Sequence, residues 1–279
     1  MKKTIVGLLC AATLCGCGGS GSNTPYTYRD ASSYSEYKEP TVFSAPVTDL
    51  DIDWPVGQVI VQKGESVRVE ESASKGEYLP LYHFLDNGKL KLRYCKDGSI
   101  YHDLQKKLVV TIPGDLGTMD ISTISGSYSI DLGNVKTMKG GSTSGKGEVT
   151  LTSLESGEFT GISGAINGKI GNAGSLTITT SSGSSKFEIG TLQTYRRDSI
   201  SGSTSLTVKD TASLSKVEIE TTSGTGDLYF DGKKGIDLEF KTTTGRQELE
   251  FTDGSDPSLG KITLKYSSIS GSINVHKIG

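Results

Sequence analysis

Apolar and polar residues alternate through the second half of the chain, and this alternation recurs at a fixed spacing. The copies align on a Ser-Gly dipeptide or its Thr-Gly variant, and the first four intervals between them share one 19-residue length. The later intervals are longer and unequal. A fixed period of this kind is typical of repeat architectures. The eight dipeptides begin at Ser125, Ser144, Ser163, Ser182, Ser201, Ser223, Thr244 and Ser270.

Each copy contains the pattern of two half-buried strands, one on either side of the dipeptide. If the Ser or Thr is position 0, positions +5 and +7 are apolar in nearly every copy, as in Ile130 and Leu132, and position +6 between them is polar or half-polar. Positions −6 and −4 are often apolar as well, as in Leu176 and Ile178. A period of two, with many β-branched residues, excludes a helix and predicts strands. The sequence therefore predicts an all-β solenoid with about 19–22 residues per coil.

The dipeptide itself predicts a corner of the coil. Glycine at position +1 would allow the backbone to turn with a positive φ. Position −2 is small in every copy, which predicts an inward ladder where only small side chains fit. Its members are Thr123, Ser142, Gly161, Thr180, Ser199, Thr221, Thr242 and Ser268.

The region before the regular repeats shows the same alternation with less regular spacing. It is present in the pairs Val59/Val61, Val67/Val69, Leu90/Leu92 and Leu108/Val110. Asn87-Gly88 predicts a hairpin turn. We expect Trp54-Pro55 and the segment from Leu79 to Leu85 to cover the N-terminal end of the stack, because solenoids need caps.

Composition agrees with a repeat protein and excludes one class of partner. Hydrophobic residues make up 34% of the chain and aromatic residues 7%, while glycine occurs 36 times. Such a chain can form an ordered interior by repetition. The net charge is −3 at pH 7, and no basic run or stripe suggests nucleic-acid binding.

The N-terminus has the order of a secretory signal. Lys2 and Lys3 precede a short apolar run at 5–14, which is too short to span a bilayer as a helix. Leu14-Cys15-Gly16-Cys17 resembles a bacterial lipobox. That resemblance implies diacylglyceryl transfer to Cys17, cleavage before it and acylation of the new N-terminus. An ordinary signal peptide with incidental cysteines is the alternative.

These features predict four regions. Residues 1–16 are a lipoprotein signal peptide, 17–40 a lipid anchor and flexible tether, 41–115 an N-terminal cap with the first irregular coils, and 116–279 the regular solenoid. The lipid on Cys17 would hold the protein at a membrane of the cell envelope, and we expect the outer membrane. Whether it faces the periplasm or the cell surface stays open.

The repeat resembles a known family of domains. Thr180 to Gly183 continuing to Ile189, and Thr221 to Gly224 continuing to Phe230, follow the pattern T-x-S-G before alternating apolar residues. This is similar to the "putative adhesin" β-strand repeats of bacterial envelope proteins, which include head-GIN and autotransporter-adhesin-like domains. The resemblance covers about residues 41–279. It implies a right-handed single-stranded β-helix, often on a lipoprotein, and it supplies no catalytic motif.

The sequence contains no clear catalytic or metal-binding motif. His83, Cys95 and His102 lie close together in the sequence but lack zinc-site spacing, so we predict neither a metal nor a cofactor. No histidine accompanies the repeated serines. Glu248 and Glu250, expected near Asp227, are the closest approach to a carboxylate group, and a solvated strand face explains them better.

We therefore predict a non-enzymatic interaction or structural module held on the envelope by Cys17. A protein or glycan partner would bind at the long intervals or near Tyr229, with Glu248 and Glu250 as further candidate residues. Two alternatives stay open: a glycan-active β-helix enzyme that uses clustered carboxylates, and a periplasmic accessory protein that works through protein contacts. The oligomeric state is undetermined by the sequence.

Overall fold

The computed structural model describes residues 33–73, 79–96 and 106–278. These ranges contain strands, turns and a short 3₁₀ helix at Pro257–Leu259, and no α-helix, so the all-β prediction is confirmed. The strands are Ser35–Glu36 (β1), Thr41–Phe43 (β2), Asp49–Asp53 (β3), Gln58–Lys63 (β4), Val67–Ala73 (β5), Tyr82–Asp86 (β6), Lys89–Arg93 (β7), Lys106–Ile112 (β8), Leu116–Thr123 (β9), Ser127–Ser142 (β10), Lys146–Gly161 (β11), Ala165–Thr180 (β12), Ser184–Ser201 (β13), Thr204–Asp210 (β14), Lys216–Ser223 (β15), Thr225–Phe230 (β16), Gly235–Lys241 (β17), Gln247–Leu249 (β18), Lys261–Ser267 (β19) and Ser272–Lys277 (β20).

The 19-residue period is the register of a parallel ladder in the middle of the molecule. Ile130 pairs with Val149, Val149 with Gly168, and Gly168 with Phe187 along β10 to β13. Equivalent residues of successive repeats therefore stack directly upon one another. This stacking lets identical positions share one environment, which is the physical reason that the sequence repeats.

Each repeat contributes to two rows of strands, separated at the Ser-Gly corner. The leading row precedes the corner and contains β9, the later halves of β10 to β13, and β15. The trailing row follows the corner and contains the first halves of β10 to β13, then β14 and β16. Side chains alternate between the interior and solvent in both rows, as the period of two predicts.

The predicted interior positions are buried through most of the stack. Positions +5 and +7 are buried in the pairs Ile130/Leu132, Val149/Leu151, Phe187/Ile189, Leu206/Val208 and Leu228/Phe230. In the copy that begins at Thr244, Leu249 and Phe251 are only partly buried. That copy therefore lies in a less enclosed place than the others.

The small side chains at position −2 pack inside the corner, and some of them also accept hydrogen bonds from its backbone. Thr123, Ser142 and Thr180 are buried. The Ser142 hydroxyl accepts a hydrogen bond from the backbone N–H of Gly145 at 2.8 Å, and Thr242 does the same for Gly245 at 2.9 Å. The small-residue ladder therefore satisfies backbone donors that the turn leaves without a strand partner.

Glycine at position +1 is required chiefly by close stacking, which corrects the prediction from φ. Of the eight corner glycines, all of them described, Gly164 and Gly202 alone have positive φ, at 143° and 115°. A Cβ on Gly145 would lie 1.6 Å from the carbonyl oxygen of Gly126 in the preceding coil. At seven of the eight corners an added Cβ would lie 1.6–2.7 Å from the backbone of a neighbouring coil, and at Gly126 the nearest atom is 3.1 Å away. Successive corners therefore leave little room for a side chain at this position.

At the N-terminal end, the coils do not stack in chain order. In the leading row, β3 lies between β7 and β9. In the trailing row, β4 lies between β8 and β10. The coil formed by β3 and β4 is thus enclosed, and the later coil formed by β7 and β8 is nearer the end.

Antiparallel strands cover this end. β6 pairs with β7 through the predicted turn at Asn87-Gly88, and β5 pairs with β8. Leu81, from one segment expected to cover the end, is fully buried beneath these strands. Trp54 is also fully buried, but it lies in the enclosed coil of β3 and β4 and does not cover the end. The cap therefore extends both rows with strands of opposite direction.

The last part of the predicted tether packs against this cap, contrary to a flexible segment that extends to residue 40. β1 pairs with β6, and Tyr37 is buried, with its hydroxyl accepting a hydrogen bond from Glu71 N at 3.0 Å. The Tyr34 ring lies 5.6 Å from the ring of Phe84. These two aromatic side chains therefore pack against the cap. Cys17 and the predicted signal peptide lie outside the described residues.

The C-terminal end also departs from chain order, which corrects the prediction of regular sequential repeats to residue 279. β19 lies between β15 and β17, and β20 lies between β16 and β18. The last coil of the chain is therefore inserted beneath the one that precedes it. No helix in the described ranges has the length and apolarity needed to cross a bilayer.

Candidate functional site

The insertion of β20 brings three outward side chains together near the C-terminal end. The rings of Tyr229 and His276 stack with centroids 4.7 Å apart and an interplanar angle of 21°. His276 Nδ1 lies 2.9 Å from Glu250 Oε1. We call Tyr229, His276 and Glu250 the outward row. Its members occupy position +6 of the last three repeats.

Strand order explains why these residues meet. Tyr229 on β16 is paired with His276 on β20, and β20 is followed by β18, immediately before Glu250. In chain order Glu250 comes between the other two, so sequence reasoning would place the carboxylate beside the tyrosine. The inserted strand instead places the imidazole between them, in contact with both.

A second row of polar side chains runs parallel to the first at position +4. Asn274 Nδ2 donates a hydrogen bond to Asp227 Oδ1 at 2.8 Å, and Asn274 is paired with Glu248 on the other side. Glu248 and Asp227 are therefore not direct neighbours, contrary to the expectation, because Asn274 lies between them. The two carboxylates do not form a pair.

The electrostatics of the outward row favour an ionised carboxylate. The backbone N–H of Lys277 donates to Glu250 Oε2 at 2.7 Å, and together with His276 it lowers the pKa of Glu250. A general acid for glycoside cleavage needs a raised pKa instead. The arrangement presents an aromatic face with fixed hydrogen-bond acceptors, which suits recognition of hydroxyl or amide groups.

The residues considered for metal binding are dispersed. His83 lies on β6 with its ring perpendicular to that of Phe43, at 5.4 Å, and burial lowers its pKa. Cys95 is buried beyond the end of β7. His102 lies outside the described residues. Within the described part of the chain, no three His, Cys, Asp or Glu side chains are grouped to hold a metal ion.

A buried ion pair near the N-terminal end escaped the sequence analysis. The side chains of Lys106 and Glu71 are fully buried and in contact. Lys106 Nζ donates to the carbonyl oxygen of Leu79 at 2.6 Å and lies 4.4 Å from the ring centroid of Tyr94. A lysine in a strand usually indicates a solvent-facing position, so the local sequence pattern does not predict this buried pair.

A buried arginine in the middle of the stack was also missed. Arg197 is 1% exposed and occupies position −4, where most other copies carry Ile or Phe. Its guanidinium donates to the carbonyl oxygen of Gly183 at 2.8 Å and to Thr180 Oγ1 at 3.4 Å, while burial lowers its pKa. The break in the apolar pattern at this copy was the available signal.

Shallow grooves follow the corners. One, of about 760 Å³, lies beside Gly57, Ser125, Gly145 and Lys146. Another, of about 430 Å³, is lined entirely by small residues from three successive corners. These residues are Ser201, Gly202, Ser203, Ser223, Gly224, Thr225, Ser270, Gly271 and Ser272. Neither groove contains a cluster of groups suited to catalysis.

Comparison with known proteins identifies the family of the fold. The family model described as Toastrack DUF4097 matches residues 47–277. No curated protein matches the chain. This family match confirms the resemblance drawn from the repeat motif.

Several solved structures resemble the chain at low identity. A "putative adhesin" from Parabacteroides distasonis has 10% identity and a TM-score of 0.49, covering 87% of this chain and 96% of its own. A "putative adhesin" from Bacteroides fragilis has 12% identity and a TM-score of 0.46, covering 87% and 95%. A "putative lipid binding protein" from Parabacteroides distasonis has 17% identity and a TM-score of 0.44, covering 88% and 96%.

Proposed function

Because the chain belongs to the Toastrack DUF4097 family, we propose that it is an envelope lipoprotein whose β-solenoid is a non-catalytic interaction module. The proposal includes a lipid anchor on Cys17, location at the outer membrane and an adhesin-like role toward a protein or glycan. It also includes a right-handed, single-stranded β-helix in the middle repeats, because parallel β connections are usually right-handed.

One observation carries the binding part of the proposal. The interior positions repeat, whereas the outward positions vary, and in the outward row they bring two aromatic rings and a carboxylate into contact. Tyr229 and His276 provide a stacked aromatic surface, with the Glu250 carboxylate held beside it. Exposed aromatic rings with fixed polar neighbours are suited to binding peptides or sugars.

The binding site is tested by capture from envelope fractions with the full-length protein as bait. We expect Tyr229→Ala and His276→Ala to lose most of the captured partner. Thr207→Ala, at the same outward position of an earlier coil, serves as the matched control and should retain it. Equal loss in all three variants, or no partner with the unmodified chain, would contradict the proposal.

The glycan-active alternative is tested by polysaccharide turnover. We expect no product with any glycan from the native envelope. Turnover that disappears in Glu248→Gln and Glu250→Gln would replace our proposal with the enzymatic one. Binding without turnover would instead identify a glycan partner.

The anchor is tested separately by labelling cells with a tagged fatty acid. We expect the full-length chain to take up label and partition with outer membranes. Cys17→Ser should abolish labelling, whereas Cys15→Ser should preserve it. Label on the Cys17→Ser chain would refute the assignment of the lipidated residue.

A further inference from the structure

The corner of the solenoid carries a row of exposed isoleucines at position −1. Ile124, Ile162, Ile200 and Ile269 are 39%, 37%, 60% and 53% exposed. In the described residues, Val42 at 58% is the other large hydrophobic side chain with comparable exposure. We call the eight position −1 residues, with their neighbours from −2 to +1, the corner ridge.

Spatial order makes this ridge strictly alternating. Read along the stack, the position −1 residues are Ile124, Thr143, Ile162, Ser181, Ile200, Thr222, Ile269 and Thr243. In chain order the alternation fails, because Thr243 directly follows Thr222. The insertion of β19 between β15 and β17 restores it by placing Ile269 between the two threonines.

Backbone hydrogen bonds keep these residues in one continuous ladder. Ser144 N donates to the Ile124 carbonyl at 2.8 Å, and Ser182 N donates to that of Ile162 at 2.7 Å. At the far end, Thr244 N donates to the Ile269 carbonyl at 3.0 Å. The isoleucines are therefore held on a rigid backbone, about 9.6 Å apart where they are two rungs apart.

We propose that the corner ridge is a self-association surface that binds a second copy of this chain in antiparallel orientation. Because the ridge has eight alternating rungs, an even number, it begins with isoleucine at one end and finishes with threonine at the other. When two ridges align antiparallel over their full length, every isoleucine faces a hydroxyl residue of the other copy. The opposed pairs are Ile124 with Thr243, Ile162 with Thr222, Ile200 with Ser181, and Ile269 with Thr143.

This pairing satisfies both shape and symmetry. A parallel, in-register contact would place isoleucine against isoleucine and leave gaps at the small rungs. The antiparallel contact fills each gap with a partner side chain and is the isologous arrangement of a two-fold dimer. Ile162 would enter beside Thr222, next to Gly224 at the centre of the small-residue groove.

Charge favours a second copy over a charged partner. None of the residues from −2 to +1 in the eight corners is ionisable. A nucleic acid or an anionic membrane surface would find no basic group to bind on this strip. An uncharged, alternating ridge is complementary to another uncharged, alternating ridge.

The available area predicts a weak dimer. Eight rungs spaced about 4.8 Å apart span roughly 34 Å, and four residues across the corner span about 13 Å. A full overlap would bury roughly 450 Å² on each copy, which totals slightly less than the ~1,000 Å² of small specific interfaces. Reversible association is therefore expected.

Sedimentation equilibrium of the full-length protein in density-matched detergent tests the proposal. We expect a concentration-dependent dimer of the unmodified chain. The double variant Ile200→Thr/Ile269→Thr, which introduces a residue that neighbouring rungs already carry, should weaken dimerisation at least tenfold. Val42→Thr removes an equally exposed apolar side chain outside the ridge and should leave it unchanged.

Cysteine pairing tests the orientation. Differently tagged copies bearing Ser181→Cys and Ile200→Cys should cross-link to each other faster than copies that both bear Ile200→Cys. A single-chain mass at all concentrations would overturn the proposal, as would equal weakening by Val42→Thr. Preferential Ile200→Cys self-linking would refute the antiparallel full overlap.

Discussion

The middle of the stack and its two ends meet the same packing requirement in different ways. In the middle, β10 to β13 stack in chain order with a constant 19-residue register. At each end the order changes. β3 and β4 are enclosed by coils that follow them in the chain, and β19 and β20 are inserted beneath the preceding coil.

The middle coils and the end coils differ in how completely their apolar positions are buried. A middle coil has a similar neighbour on each side, so all of its apolar positions can be covered. Ile262, Leu264 and Val275 of the inserted coil are fully buried. Leu238 and Phe240 of the terminal coil are only partly buried. The inserted coil therefore has more of its apolar surface removed from water than the terminal coil, and stabilisation grows with that area.

The largest predicted effect is at the N-terminal end. Lys106→Met leaves Glu71 buried without its cation, and we expect a loss of about 3–5 kcal/mol in the free energy of unfolding. Denaturant titration would measure it. The double variant Lys106→Met/Glu71→Gln should recover much of that loss. Lys146→Met, which removes an exposed pair with Glu148 in the middle, should cost less than about 0.5 kcal/mol. Similar losses for both lysines would contradict the comparison.

Close stacking in the middle predicts the next effect. Gly145→Ala would force its Cβ toward the Gly126 carbonyl oxygen, 1.6 Å away, so one coil must shift. We expect a loss of roughly 2–4 kcal/mol, read from thermal or urea unfolding. Gly114→Ala is the control, because nothing lies within 4 Å of its added Cβ. An unchanged stability of Gly145→Ala would show that the coils can separate at this corner.

The corner cap predicts a smaller effect. Ser142→Ala removes the acceptor for Gly145 N–H, at 2.8 Å, and leaves a partly buried donor without it. We expect a loss of about 1.5 kcal/mol in urea unfolding. Ser144→Ala, at the exposed position of the same corner, should change stability by less than about 0.5 kcal/mol. Equal losses in the two variants would show that the cap hydrogen bond is not the cause.

The smallest effect is the pH dependence that Asp51 contributes at the N-terminal end. Burial alone would raise the pKa of Asp51, but the hydrogen bond from Arg93 Nη1, at 2.8 Å, together with nearby positive charge, lowers it below the ordinary value. A lowered folded-state pKa stabilises the fold above the unfolded-state pKa and loses that contribution as pH falls through the folded-state value.

Unfolding measured between neutral and acidic pH tests this linkage. We expect Asp51→Asn to remove roughly 1 kcal/mol or less of the stability lost on acidification. Asp131→Asn, which removes an exposed carboxylate in the middle of the stack, is the matched control for the loss of one negative charge. A steeper acid loss in Asp51→Asn would reverse the predicted sign.

Much of the coil was predictable because its signals are local. The alternation at Ile130 and Leu132, the corner at Ser144-Gly145 and the hairpin at Asn87-Gly88 all depend on neighbours within a few residues. Each appears in the structure as a strand, a corner or a turn. The reason for the corner glycines was not predictable, since it lies in the carbonyl group of the preceding coil.

The candidate site was predictable only in part. Tyr229 and Glu250 were identified as outward residues, but His276 was not placed between them. The buried roles of Lys106 and Arg197 likewise depend on partners far along the chain. The lipid anchor on Cys17 remains a prediction, as does the signal peptide at residues 1–16.

The sequence by itself determined the element type, the 19-residue period and which positions face inward, because period-two burial is written into each short segment. Only the tertiary structure decided the order of the end coils, the Tyr229–His276–Glu250 row and the alternation of Ile269 with threonine on the corner ridge. Which strands become neighbours at an end depends on contacts between residues far apart in the chain. The repeat pattern does not specify those contacts, because it is similar in every coil.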